Sequence, residues 1–172
     1  LTVTDVALIA NCHFYDLAFE NPDSNGTHDR CHFPKMEIIN PFDSVTFRIG
    51  AVDMDAGWLE VEMRNPNKKT VGYELMMSGI SITAAEDLVD AQFYPVVPQF
   101  TMNGQHVIVV SYNNKMIPRS NGFVPVLRLH FSDPASLICI EEVIDVVNEN
   151  YHNSITELEN ACATITGVGT NA

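Results

Sequence analysis

The residues whose types and spacing could do chemistry crowd into the first 43 positions. Asp23, Asn25, Thr27 and Asp29 alternate as oxygen-bearing side chains. Alternating hard oxygen donors are what a Ca²⁺ ion takes up, so Asp23 and Asp29 are candidate metal ligands. The stretch lacks the glycine placement and the twelfth-position glutamate of an EF-hand, and the competing reading is a polar turn, a frequent use of Asp and Asn. Asp53 and Asp55 form a second, less developed pair. Asn25-Gly26-Thr27 is the chain's one N-glycosylation sequon, in a stretch whose Pro, Gly, Asn and Asp content makes it a loop. A glycan on Asn25 and a metal on the same residue exclude one another.

Cys12-His13-Phe14 and Cys31-His32-Phe33 repeat one pattern, which invites a Cys₂His₂ zinc reading. Neighbouring residues on a strand point to opposite faces, so one metal could not easily take both members of each pair. A disulfide is the better use of these cysteines. The four cysteines fall as two local pairs, and bonds Cys12–Cys31 and Cys139–Cys162 fit an oxidising compartment. Four cysteines permit three connectivities, and their order alone does not choose among them.

Catalytic patterns are missing. The sequence holds no G-x-S-x-G, H-E-x-x-H or phosphate-binding loop. Glu141-Glu142 are adjacent on a strand, so they face opposite ways and do not suit a shared substrate, and Glu86-Asp87 makes no better pair. The chain reads as a non-enzyme with no cofactor beyond the Ca²⁺ candidate. Trp58 lies in phase with Glu60 and Glu62 on the polar side of its segment, where it could stack on a sugar. Tyr73, Phe93, Tyr94 and Tyr112 are further platform candidates, with Tyr73 assigned to the core by its alternation.

The elements that must position these residues are short strands. Val45, Phe47 and Ile49 alternate with polar or small residues, as do Leu59, Val61 and Met63, then Val71, Tyr73, Leu75 and Met77, then Leu127, Leu129 and Phe131. Period two is the mark of a strand with one buried face. Strands are expected at 44–52, 58–64, 71–77, 80–83, 106–112, 124–131, 138–147 and 161–166, with an edge or irregular stretch at 93–102, where Pro95 and Pro98 remove donors. Ala84–Ala91 is the one plausible helical turn. Many short strands separated by turn signals mean an all-β antiparallel sandwich or jelly roll. Residues 1–43 read as an N-terminal strand with a disulfide-bearing loop, 44–166 as the sandwich, and 167–172 as a flexible tail.

The 172 residues carry a net charge of −13. Such a charge argues against nucleic acid and anionic membranes, which need a basic surface. No apolar run reaches the roughly 20 residues of a membrane helix. The chain begins at Leu1, which suggests a removed signal or an upstream domain and, with the cysteines, a secreted or cell-surface protein. Residues 1–10 are an apolar strand, and a strand at a chain end needs a cover. Val3, Val6, Leu8 and Ile9 could anchor it in its own domain or in a neighbouring copy.

The stretch VDMDAGWLEVEMRNPNKKTVGYELMMSGISI resembles the opening strands of cohesin-like β-sandwich modules. Leu59, Val61 and Met63, then Asn65-Pro66, then Gly72, Tyr73 and Leu75 carry the likeness. Met116-Ile117-Pro118, Gly122, the Leu127/Leu129/Phe131 strand, Ile138-Cys139-Ile140 and the returning Cys162 continue it to about residue 166. The resemblance implies a non-catalytic module that binds protein partners or builds surface assemblies. Residues 1–43 have no counterpart in that pattern. The expectation is therefore an extracellular structural protein, a fibril or surface-polymer subunit joined head-to-tail to copies of itself by its N-terminal strand. The alternative is a carbohydrate- or protein-binding cohesin-like module. An open head-to-tail contact makes filaments, whereas a binding module needs a ligand.

Overall fold

A computed structural model describes residues 43–101 and 105–165. The alternating segments form ten strands: β1 (Ser44–Asp53), β2 (Trp58–Asn65), β3 (Thr70–Ser78), β4 (Ser81–Asp87), β5 (Gln99–Phe100), β6 (His106–Val110), β7 (Ser120–Ser132), β8 (Leu137–Asn148), β9 (Ile155–Leu158) and β10 (Cys162–Thr164). They build two sheets, ordered β4-β7-β2-β1-β9 and β10-β8-β3-β6-β5. Every pairing is antiparallel except β1 with β9. The architecture is the all-β sandwich of jelly-roll type that the alternation implies. Residues 1–42 lie outside the described range, and with them Val3, Val6, Leu8, Ile9, Cys12, Cys31, Asp23, Asn25 and Asp29.

The inward residues of the two sheets meet in one core. Val45, Phe47, Ile49, Leu59, Val61, Met63, Leu127 and Leu129 of the first sheet face Tyr73, Leu75, Met77, Val107, Val109, Ile138, Ile140 and Val146 of the second. The Phe47 and Tyr73 rings pack tilted across the gap, centroids 5.3 Å apart. One irregularity matters to the pattern. Val61 pairs with Leu127 but Glu62 with Pro125, so Val126 is an extra residue and is buried beside Leu127. Such a bulge breaks strict alternation within β7 and bends the strand.

One sequence expectation changes, one holds, and one strand is new. Residues 84–87 are not helical: Ala84, Ala85, Glu86 and Asp87 pair with His130, Leu129, Arg128 and Leu127 of β7, and no helix occurs among the described residues. The eight residues 84–91 are too few to sustain a helix against a ready ladder. The edge stretch 93–102 contains only the two-residue β5, as its prolines allow. Strand β9 had no sequence expectation, because four residues are too few to show a period and its partner β1 lies more than 100 positions away.

Cys139 and Cys162 are directly opposed on β8 and β10, with Cα atoms 4.1 Å apart, and are joined by a disulfide. That selects one bond among those the count allowed. It fastens the three-residue edge strand β10, which has few ladder bonds of its own.

Candidate functional site

The two outward faces of the sandwich differ in how they treat charge. On the β4-β7-β2-β1-β9 sheet, opposite charges stand directly across from one another. Arg48 pairs with Glu62 at 2.6 Å, and Arg128 with Glu60 at 2.7 Å and Glu86 at 3.9 Å. Arg64 reaches Glu159 at 3.8 Å. The guanidiniums of Arg48 and Arg64 lie over the Phe123 ring at 4.1 and 4.9 Å, and that of Arg128 over Trp58 at 4.6 Å. Each such pair adds only a few tenths to 1 kcal/mol, roughly. Together they engage all three of this face's arginines with its own glutamates. Trp58 stands on the polar side of β2, half-buried, with one face of its ring occupied by Arg128.

The β10-β8-β3-β6-β5 sheet is different. Gly72, Glu74 and Met76 of β3 alternate with buried Tyr73, Leu75 and Met77 and point outward. Their cross-strand neighbours form rows: Val147–Gly72–Val110, Asp145–Glu74–Ile108 and Glu142–Met76–His106. Glu74 and Asp145 are like charges set directly opposite, an arrangement that opposes folding. His106 contacts the Glu74 carboxylate from the other side.

Gly72 shapes the centre of this face. A Cβ there would lie 2.6 Å from the Val109 carbonyl oxygen and 2.9 Å from the Val110 Cα. Only glycine lets β6 approach so closely, and it leaves an open depression of about 150 Å³ between Glu74, Ile108, Val110, Asp145 and Val147. Ile108 and Val110 also form one wall of a larger apolar groove of about 590 Å³, whose other wall is Pro95, Val96 and Val97. Val97 is 76% exposed and Tyr112 94%. With Ile108 and Phe100 they make an apolar surface beside an acidic one. A signal for it exists in the sequence: Val107–Val110 reads V-I-V-V, a continuous apolar run where a half-exposed strand would alternate.

The segment between β4 and β5 that carries Pro95–Val97 is stapled down. The Tyr94 ring is fully buried, and its hydroxyl donates to the Val71 carbonyl at 2.7 Å. The Asp87 carboxylate accepts the Val89 amide at 3.1 Å. Burial pushes its pKa from 3.8 up to about 6, against the lowering effect of the Val89 and Val96 amides. Burial and the nearby Asp87 charge raise Tyr94, and burial with the Tyr94 and Asp87 charges raises Tyr73. Because the folded pKa of Asp87 lies above its unfolded value, the folded chain holds the extra proton. Stability from this group therefore falls as pH rises from about 4 to about 6. Asp87→Asn keeps the acceptor and removes the charge. At pH 7 it is expected to stabilise the fold by on the order of 1 kcal/mol, after allowance for a half-exposed site. Urea melts of both proteins at pH 4 and pH 7 check it; a variant no more stable at pH 7 contradicts the assignment.

Of the other sequence candidates, Tyr73 and Tyr94 are core residues and Phe93 and Tyr112 are exposed, but they do not share a platform with Trp58, which belongs to the opposite sheet. Glu86 and Asp87 diverge: Glu86 joins His130 at 2.7 Å and Arg128 on the surface, while Asp87 turns toward the Val89 amide. Asp53 caps its turn by accepting the Ala56 amide at 2.9 Å. No group of three or more His, Cys, Asp or Glu able to hold a metal occurs among the described residues. No helix among them is long and apolar enough to cross a membrane.

No protein-family model matches the chain, and no curated protein matches it in sequence. Solved structures match it in fold. The seventh ScaB type I cohesin from Pseudobacteroides cellulosolvens superposes with a TM-score of 0.51 at 10% identity, covering 74% of this chain and 96% of its own. The CaCohA2 cohesin of Clostridium acetobutylicum gives 0.51 at 15% identity, covering 74% and 94%. The structure of the Coh-OlpA–Doc918 complex, a type I cohesin–dockerin complex from Clostridium thermocellum, gives 0.50 at 14% identity, covering 72% and 100%. The sandwich has a cohesin-like fold, as the strand pattern from Leu59 to Cys162 suggested.

Proposed function

We propose that this chain is an extracellular, non-catalytic protein-binding module whose partner docks on the outer face of β8-β3-β6-β5. The observation that carries this reading is the contrast between the two faces. One is closed by its own ion pairs; the other combines exposed Val97, Ile108 and Phe100, the Gly72 depression and an opposed Glu74–Asp145 pair. A surface of that chemistry fits a partner with protruding apolar side chains next to a Lys or Arg. Burial of the apolar groove would supply the affinity, and a cation on the partner would gain from the acidic row beside it. The cohesin-like fold supports the same reading, since the Coh-OlpA relative was solved as a dockerin complex. The Cys139–Cys162 bond supports an oxidising, extracytoplasmic setting.

Titration calorimetry of the chain against a panel of dockerin modules tests it. Binding is expected for at least one, weakened 30-fold or more by Ile108→Asp and left within twofold by Trp58→Ala on the opposite face. A Kd that ignores Ile108→Asp sinks the proposed surface. Silence across the panel would sink the dockerin class of partner. Head-to-tail assembly through Val3, Val6, Leu8 and Ile9 is the finer alternative. Those four residues lie outside the described range, and light scattering of the chain alone would detect the assembly.

A further inference from the structure

The chain has nine lysines and arginines, of which Arg30 and Lys35 precede the described residues. Three of the remaining seven, Arg48, Arg64 and Arg128, are ion-paired on the first sheet. The other four, Lys68, Lys69, Lys115 and Arg119, have no ion pair among the described residues, and all lie at one end of the sandwich. They sit in the 66–69 turn and the 111–119 loop. In a chain of net charge −13 this is a strong segregation of positive charge.

The two loops are fixed to one another. The Thr70 amide donates to the Ile117 carbonyl at 3.1 Å and the Ile117 amide to the Thr70 carbonyl at 2.8 Å. A third loop, 149–152, joins them. The Glu149 amide donates to the Lys69 carbonyl at 2.9 Å, and the Tyr151 hydroxyl donates to Asn114 Oδ1 at 2.8 Å. Glu149 is the one carboxylate these three loops carry.

The joint between Tyr151 and Asn114 is unusual. Both residues have φ of 59°, the left-handed region that a bulky aromatic rarely enters. Held strain of this kind clusters at working sites. It presents a 62% exposed Tyr151 ring on the end that also shows Tyr112, 94% exposed. An open, polar depression of about 500 Å³ lined by Pro66, Arg119 and Asn121 lies on the same end.

We propose that this end binds an acidic oligosaccharide. Lys68, Lys69, Lys115 and Arg119 meet its carboxylate or sulfate groups, and Tyr112 and Tyr151 pack against its sugar rings. Cations alone would fit any anion. Exposed rings beside amide-bearing Asn114 and Asn121 favour a ligand that has flat CH faces and hydroxyls as well as charge. The −13 net charge disfavours nucleic acid, whose dense phosphates the rest of the surface would repel. The site adjoins the partner face on the second sheet, sharing Tyr112 at the edge of its groove, but its cations lie outside that groove and it does not depend on a protein partner.

The test is titration calorimetry of the full chain with tetragalacturonate, a heparin-derived tetrasaccharide, neutral cellotetraose and tetraglutamate. At least one acidic tetrasaccharide is expected to bind ten times tighter than cellotetraose and than tetraglutamate. Binding of tetragalacturonate shows that carboxylates suffice; binding of the heparin tetrasaccharide alone shows that sulfates are needed. Tyr112→Ala and the pair Lys115→Glu, Arg119→Glu should each weaken that binding tenfold or more, while Trp58→Ala on the opposite sheet leaves it unchanged. These three side chains are exposed, and an unchanged denaturation midpoint would confirm the fold of each variant; Lys69→Glu substitutes for any that fails. Absence of binding by both acidic sugars, equal binding of tetraglutamate, or binding that survives the substitutions overturns the proposal.

Discussion

Gly79→Ala is expected to cost on the order of 4 kcal/mol, a large share of the stability of a domain this size. Gly79 lies at the crossover from β3 in one sheet to β4 in the other, with φ of 76°. A Cβ at this position would stand 2.0 Å from the Leu137 carbonyl oxygen and 3.0 Å from its carbon. The obstruction is backbone at the start of β8, so no rotamer change relieves it. The Gly79 carbonyl also accepts the Ala135 amide at 2.7 Å, which ties the crossover to the β7–β8 turn. Any shift that admits a methyl group therefore strains three connections at once. The contrast is Gly122, where a Cβ meets nothing within 4 Å; Gly122→Ala should be near neutral. Denaturant melts of the two variants decide this. A loss under 1 kcal/mol at Gly79 would mean that the crossover is more adaptable than its geometry indicates.

Asn65→Ala should cost about 3 kcal/mol. Asn65 is entirely buried at the end of β2, and its side chain is a four-way junction. Nδ2 lies within hydrogen-bonding distance of the Lys68 carbonyl at 3.2 Å, Thr70 Oγ1 at 3.3 Å and the Pro118 carbonyl at 3.1 Å. Oδ1 accepts the Ser120 amide at 3.0 Å. Truncation leaves buried donors and acceptors without partners in a site too enclosed for easy hydration. Because Asn65 ties the 66–69 turn to the 111–119 loop, its loss should also loosen the cationic end, raising amide exchange at Lys68–Thr70 and Ile117. Thr70→Val, which removes one partner of Asn65 and leaves the others, should cost about 1 kcal/mol. Equal losses in the two variants would contradict the junction.

The same residues show what can be read before folding. Asn65-Pro66 is visible as a turn, since Asn and Pro favour one for local reasons. That the Asn side chain is the buried junction of two loops is not visible, because Pro118 and Ser120 lie more than 50 positions away. Gly72 is a similar case. Its place in an alternating strand is plain, but the need for glycine comes from how closely the Val109–Val110 backbone approaches. Trp58 was rightly set on the polar side of β2; the Arg128 guanidinium over its ring arrives from β7, 70 positions on. The expected helical turn at 84–91 went the other way because pairing with β7 outweighs the local preference of Ala-Ala-Glu-Asp.

The sequence by itself determined the all-β class, the inward face of β1, β2, β3 and β7, the main turns and the pairing candidates among the cysteines. These follow from period two and from the conformational limits of Gly, Pro and Asn, which act over a few residues. Tertiary structure decided which strand joins which sheet, the parallel β9, the bulge at Val126 and the bond between Cys139 and Cys162. It also decided the chemistry of each surface. Arg48, Glu62, Glu60 and Arg128 look like scattered charges along the chain, and register makes them neutralising pairs on one face. Lys68, Lys69, Lys115 and Arg119 are left together at one end by two turns that the Thr70–Ile117 bridge joins. Such groupings depend on contacts between distant segments, and a local pattern carries no information about them.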